Sequence, residues 1–244
     1  MKTRIIAKLD VKPPFVVKPV HFEGLRKVGK PAALVEKYNT QGADEIFYID
    51  IVSSLYRREI LIDEIKRASN ASFVPFGVGG GVQSVNDFSN LFHHGADKVI
   101  VNTFAITENK NIISEAARIF GSQAVVVNIE AKKNYNGWEC YTDCGRIPSG
   151  IPVLDWAKEV ERLGAGEILL QSVDADGRQR GFDVELAKLV IDLVNIPVVV
   201  ASGAGSLEDI ATLIKEARPS GVAIASLLHY DKFSIQDIKD FLRL

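Results

Sequence analysis

The chain has 244 residues, 47% of them hydrophobic and 25% charged, with a formal net charge of −2. That balance fits a globular protein with a full core and excludes a general attraction to nucleic acid or to an anionic membrane. No apolar run reaches the roughly 18 residues of a membrane span, and Met1-Lys2-Thr3-Arg4 lacks the shape of a signal peptide. Two cysteines, Cys140 and Cys144, are too few for a disulfide framework, so a cytoplasmic setting is expected. Their Cys-x3-Cys spacing has no histidine nearby, and neither a metal site nor a cofactor is expected.

Arg4 to Val11 (RIIAKLDV) reads as a strand ending on Asp10. Lys12 to Lys30 carries Pro13, Pro14, Pro19 and Gly29 and reads as an irregular functional loop, too long for a plain connection. Pro31 to Gln41 has helical spacing with proline at its start. Strands are expected at Asp44 to Ile51, Phe73 to Val78 and Asp97 to Asn102. Helices are expected at Ile60 to Ser69, Ser84 to His93 with Ser84 as N-cap, and Asn111 to Phe120. The alternation then begins again. Strands are expected at Ala124 to Ala131, Glu167 to Gln171, Val198 to Ala201 and Gly221 to Ala225. Helices are expected at Val153 to Leu163, Val184 to Val194, Leu207 to Ala217 and Ile235 to Leu242. Strand alternates with helix eight times and most strands are apolar throughout, as in a parallel sheet covered on one face by helices and filled on the other. The expected fold is α/β, a (β/α)8 TIM barrel forming a single domain over 1–244, with a doubly wound open sheet as the runner-up.

An internal repeat supports the barrel. VPFGVGGGVQSVNDF (Val74 to Phe88) has a partner in IPVVVASGAGSLEDI (Ile196 to Ile210). Pro75 matches Pro197, Gly81 matches Gly203, Ser84 matches Ser206 and Asp87 matches Asp209, all at one offset. IAKLDVK aligns with VVNIEAK, placing Asp10 on Glu130, and GADEIFYID aligns with GAGEILLQS. Two half-barrels, about 1–122 and 123–244, are expected.

In a TIM barrel the chemistry sits at the C-terminal ends of the strands. Asp10 and Glu130 end the first and fifth predicted strands, on opposite sides of that mouth. Two carboxylates facing across a pocket suit acid and base work once their environments separate them. Four loops offer backbone N–H groups and small side chains to phosphate. They are Gly80-Gly81, Asn102-Thr103, Gly203-Ala204-Gly205 and Ala225-Ser226. Two such sites on opposite rims imply a long substrate with a phosphate at each end. Asp174-x-Asp176-Gly177 adds acids near the second site, and Lys18 is placed to cover a bound ligand.

RIIAKLDVK, GADEIFYIDI, VGGGV, FGSQAVVVNIEAK, GAGEILL, DADG and ASGAG together resemble the HisF family, the cyclase subunits of imidazole glycerol phosphate synthase, over essentially the whole chain. The resemblance implies a glutaminase (HisH-type) partner on the N-terminal barrel face. Its ammonia would pass through the barrel to a bisphosphorylated ribulosyl-formimino aminoimidazole carboxamide nucleotide. The products would be imidazole glycerol phosphate, for histidine biosynthesis, and an aminoimidazole carboxamide ribotide. It implies Asp10 and Glu130 as catalytic pair, Arg4, Glu45, Lys98 and Glu167 as a charged ammonia gate, and Asp97 as docking acid. Departures gather at the mouth. Glu130 stands where the family has Asp, Ala7-Lys8 where it has Pro-Cys, Gln171 at a substrate-binding Thr, and Cys144 at a Ser. The alternative is a HisF-like paralogue. It would conduct ammonia and activate its glutaminase for amidation of a surface-polysaccharide sugar, with a third protein as acceptor.

Overall fold

The computed structural model describes residues 2–20, 23–56 and 58–243. His21 and Phe22, inside the segment expected to be irregular, and Met1, in the N-terminal run, lie outside the described residues. Strand β1 (Arg4–Lys12) leads into a hairpin of β2 (Phe15–Val20) and β3 (Glu23–Gly29). Then come α1 (Pro31–Thr40), β4 (Glu45–Asp50), α2 (Ile62–Ser69), β5 (Phe76–Gly79), α3 (Val85–His93) and β6 (Lys98–Val101). A short α4 (Thr103–Thr107) and α5 (Asn111–Phe120) complete the first half. The second half opens with β7 (Val125–Asn134) and its own hairpin, β8 (Gly137–Thr142) and β9 (Ile147–Pro152). It continues with α6 (Val153–Arg162), β10 (Glu167–Ser172), α7 (Val184–Leu193), β11 (Val198–Ala201), α8 (Leu207–Ala217) and β12 (Gly221–Ile224). A short α9 (Ser226–His229) and α10 (Ile235–Leu242) end the described chain.

Eight strands pair in parallel in the order β10, β11, β12, β1, β4, β5, β6, β7, and β10 pairs with β7 to close the ring. This is a (β/α)8 TIM barrel. Side-chain alternation sorts its two cores. On β1, Ile5, Ala7 and Leu9 join the outer core beneath the helices, whereas Ile6 joins the inner core with Phe47, Ile100, Val126, Leu169 and Val199. Strands buried on both faces explain why the sequence shows near-continuous apolar runs. Three helices begin with a reciprocal Ser–Asp capping box, Ser84 with Asp87, Ser206 with Asp209 and Ser234 with Asp237. Among the described residues, no helix is long and apolar enough to cross a membrane.

Three expectations are corrected. The segment from Lys12 to Lys30 is a hairpin, with β2 antiparallel to β1 through Asp10–Val17, Val11–Val16 and Lys12–Phe15. Pro13 and Pro14 form its turn, and the β2–β3 register shifts between Lys18 and Val20, around Pro19, a place where proline is tolerated. The matching hairpin β8–β9 was not foreseen. Because both barrel strands run on into hairpins, Asp10 and Glu130 lie inside β1 and β7 instead of at their ends. Strand β5 starts at Phe76; Phe73 is exposed.

Candidate active site at the barrel mouth

Along β1 the inward side chains run Arg4, then Ile6, Lys8 and Asp10. They mark the barrel axis from floor to mouth. At the floor, Arg4 binds both Glu45 and Glu167, and Lys98 binds the same two acids at 2.7 and 2.8 Å. The result is a closed ring of alternating charge. Burial raises the Glu45 carboxyl even though Lys98 and Arg4 oppose that shift. The inner apolar core, with Phe47 as its largest side chain, lies directly above the ring. The four residues expected at the floor are therefore brought together.

At the mouth both expected acids are buried, Asp10 at 1% exposure and Glu130 at 5%. Their surroundings differ. Asp10 Oδ1 pairs with Lys8 Nζ, and Lys18 Nζ stands 3.6 Å from Oδ2. Burial opposes ionisation of Asp10, but the Lys8 and Lys18 ammoniums outweigh it and hold the carboxyl below its ordinary range. Glu130 accepts from the Gly145 N–H at 2.7 Å and from Asn128 Nδ2 at 3.3 Å. Asn128 is oriented in turn by Gln171 Nε2 at 2.7 Å. These donors are neutral and Lys8 acts on Glu130 only at a distance, so burial pushes its carboxyl up to about 7. Two acids in one mouth with oppositely displaced proton affinities can divide acid and base work. Lys18 is not a free cover. It is buried and bridges Asp10 to Asp176, which lies 3.0 Å from its Nζ.

The residues expected to cradle the second phosphate wall one cavity, Lys18, Asp176, Gly177, Gly203, Ala204, Ala225 and Ser226, together with Lys8. For the first, Asn102 lies close enough to Glu130 to favour its charged form, and Thr103 Oγ1 accepts the Asp143 N–H at 3.1 Å. The glycines also meet a packing requirement. A Cβ on Gly203, at φ +113°, would fall 2.1 Å from the Gly181 carbonyl oxygen, and one on Gly80, at φ +106°, 2.3 Å from that of Asp50. Neighbouring loops, not only a ligand, require these backbones to be bare. Two buried acceptors, Gln171 Oε1 and Asn102 Oδ1, have no hydrogen-bond partner among the described residues. Asp97 is exposed beside the floor, accepts the Phe76 N–H at 2.8 Å and borders a groove with Phe92 and Phe120.

Sequence reading gave no role at the mouth to Lys8, Asn128, Gly145 or His229. Period-two spacing from Asp10 and Glu130 would have found the first two. Nothing local marks Gly145, which reaches Glu130 from the β8–β9 turn. Nor does anything mark His229, whose Nδ1 bonds the Tyr38 hydroxyl at 2.6 Å and which burial drives down to about 3, keeping it neutral.

Comparison with known proteins agrees with this architecture. The model of the family described as histidine biosynthesis protein matches residues 4–234. The imidazole glycerol phosphate synthase subunit HisF of Thermococcus onnurineus is 45% identical over 239 residues, covering 98% of this chain and 94% of that protein. The same subunit of Prochlorococcus marinus strain MIT 9312 is 46% identical over 242 residues, with 98% and 94% covered. That of Clostridium botulinum is 43% identical over 242 residues, with 98% and 95% covered. A match that runs from the floor arginine to the N-cap of the last helix, with relatives alike end to end, shows that the chain belongs to the histidine biosynthesis protein family, alongside its HisF subunits.

Proposed function

We propose that the chain is the cyclase subunit of an imidazole glycerol phosphate synthase, acting in the cytoplasm with a glutaminase partner. Ammonia enters past Arg4, Glu45, Lys98 and Glu167 and meets a bisphosphorylated nucleotide at the mouth. Cleavage and ring closure there yield imidazole glycerol phosphate. The observation that carries this reading is the split acid pair. Asp10 is held ionised by ammonium groups, while Glu130 is poised near neutrality, where a general acid or base works best. The cavity by Gly203, Ala204, Ala225 and Ser226, with Lys18 and Gly177 on its wall, suits one phosphate. Gly80, Gly81, Asn102 and Thr103 serve the other. Gln171 Oε1 and Asn102 Oδ1 suit a substrate rich in N–H and O–H donors. The groove beside Asp97, at the floor end of the barrel, suits the glutaminase.

The test supplies ammonium salt and the bisphosphorylated ribulosyl-formimino nucleotide to purified protein and follows imidazole glycerol phosphate. Turnover is expected. Stimulation of the glutaminase without any turnover would overturn the cyclase reading. It would leave a barrel that conducts ammonia towards another acceptor, such as a surface-polysaccharide sugar handled by a third protein.

A further inference from the structure

Each mouth acid has a polar residue two positions before it on the same strand. Lys8 precedes Asp10 on β1, and Asn128 precedes Glu130 on β7. Period-two alternation points each pair to the barrel interior, and each partner donates to its own acid. The geometry is alike; the charge is not. Lys8 is 3% exposed and Asp10 1%, so their pair is fully withdrawn from water. Breaking such a pair strands a buried charge, which is the costly outcome.

The other groups around Asp10 do not relax this constraint. Lys18 reaches it from β2, and Asp176, from the loop after β10, balances Lys18. His229 of α9 lies within its field and is neutral. If Asp10 took up a proton, Lys8 would lose its ion-pair partner while buried, and Lys18 would keep only its pair with Asp176 among the ion pairs of the described residues. Around Glu130 stand Asn128, Gln171 beyond it, Asn102, the Gly145 N–H, and the Cys144 thiol, whose titration burial pushes well above its ordinary range. Lys8 is the cation that acts most on Glu130, and its contact is with Asp10.

We propose that Lys8 is a positioning residue: it confines Asp10 to a fixed, ionised role and so leaves the exchangeable proton of the mouth to Glu130. This deepens the proposed function and rests on it for its kinetic arm. The titration arm needs no substrate.

The carboxyl carbons of Asp10 and Glu130 are followed by NMR from pH 2 to 9 in the intact protein, assigned with Asp10→Asn and Glu130→Gln. Lys8→Asn makes the two halves match, Lys8→Met removes the charge at similar length, and Lys8→Arg keeps it. In the unaltered protein Glu130 should titrate near neutrality while Asp10 stays ionised. In Lys8→Met and Lys8→Asn the Asp10 midpoint should rise by about one pH unit or more, a tenfold gain in proton affinity. The acid limb of ammonia-dependent kcat/KM should move with it, and Lys8→Arg should restore both. An Asp10 midpoint unchanged in whichever uncharged variant folds would overturn the proposal, as would an Asp10 that titrates near neutrality in the unaltered protein. Absence of turnover in the unaltered protein would instead refute the cyclase reading and leave the titration to judge Lys8 alone.

Discussion

The two halves of the barrel place matching parts in matching positions and surround them differently. Each has a barrel strand running on into a hairpin, a bare glycine turn, a Ser–Asp capping box and an acid at the mouth. In residues 1–122 the acid lies between Lys8 and Lys18; in residues 123–244 it lies among amides and a backbone N–H. Position therefore does not assign an acid its role. Desolvation and the charge of the nearest donor do, because each changes the free-energy gap between protonated and ionised forms.

Replacing each acid with its amide tests this contrast most severely. Asp10→Asn and Glu130→Gln should each lower ammonia-dependent turnover by about 10²–10⁴-fold. Their stabilities should move in opposite directions. Asp10 has a lowered proton affinity when folded, so its stabilisation is present at neutral pH and is lost as pH falls. Glu130 is raised to about 7, so its stabilisation is full in acid and is lost as pH rises through that value. Thermal melts at pH 8 should place Glu130→Gln above the unaltered protein and Asp10→Asn below it. Shifts of the same sign would break the comparison.

Glu130→Asp sharpens it. The extra methylene displaces the carboxylate by over about an ångström, and misplacement on that scale can cost roughly a hundredfold. The substitution should raise turnover towards that factor; an unchanged or lower rate counts against a catalytic place for this side chain. Next in size are the glycine turns. A Cβ at Gly203 meets the Gly181 backbone, while one at Gly81 meets Ser53 Oγ at 2.3 Å, a side-chain atom that can rotate. Gly203→Ala should cost ~3 kcal/mol in denaturant unfolding and Gly81→Ala about half that. Equal costs would mean that both loops yield alike. Smallest are the caps, where Ser84→Ala and Ser206→Ala should each cost ~1 kcal/mol by the same measurement.

The barrel was legible because its information is local. Apolar runs, the spacing of Asn111 to Phe120 and Leu207 to Ala217, and Ser84 and Ser206 ahead of Asp87 and Asp209 report what short stretches prefer. The hairpins were less legible. Pro13, Pro14 and Pro19 read as loop residues, although a turn and an irregular register also accommodate them. At the site, residue types and their resemblance to a family named the acids and the floor ring but not their partners.

Sequence by itself determined the order of strands and helices and set Lys8 two residues before Asp10 and Asn128 two residues before Glu130, on one face of each strand. Only the tertiary structure decided that Lys18 meets Asp176, that the β8–β9 turn carries Gly145 to Glu130, and that one acid is ionised while the other titrates near neutrality. Periodicity along a strand extends over a few residues. The cost of a buried charge depends on everything the closed barrel packs around it, most of which is distant in the chain.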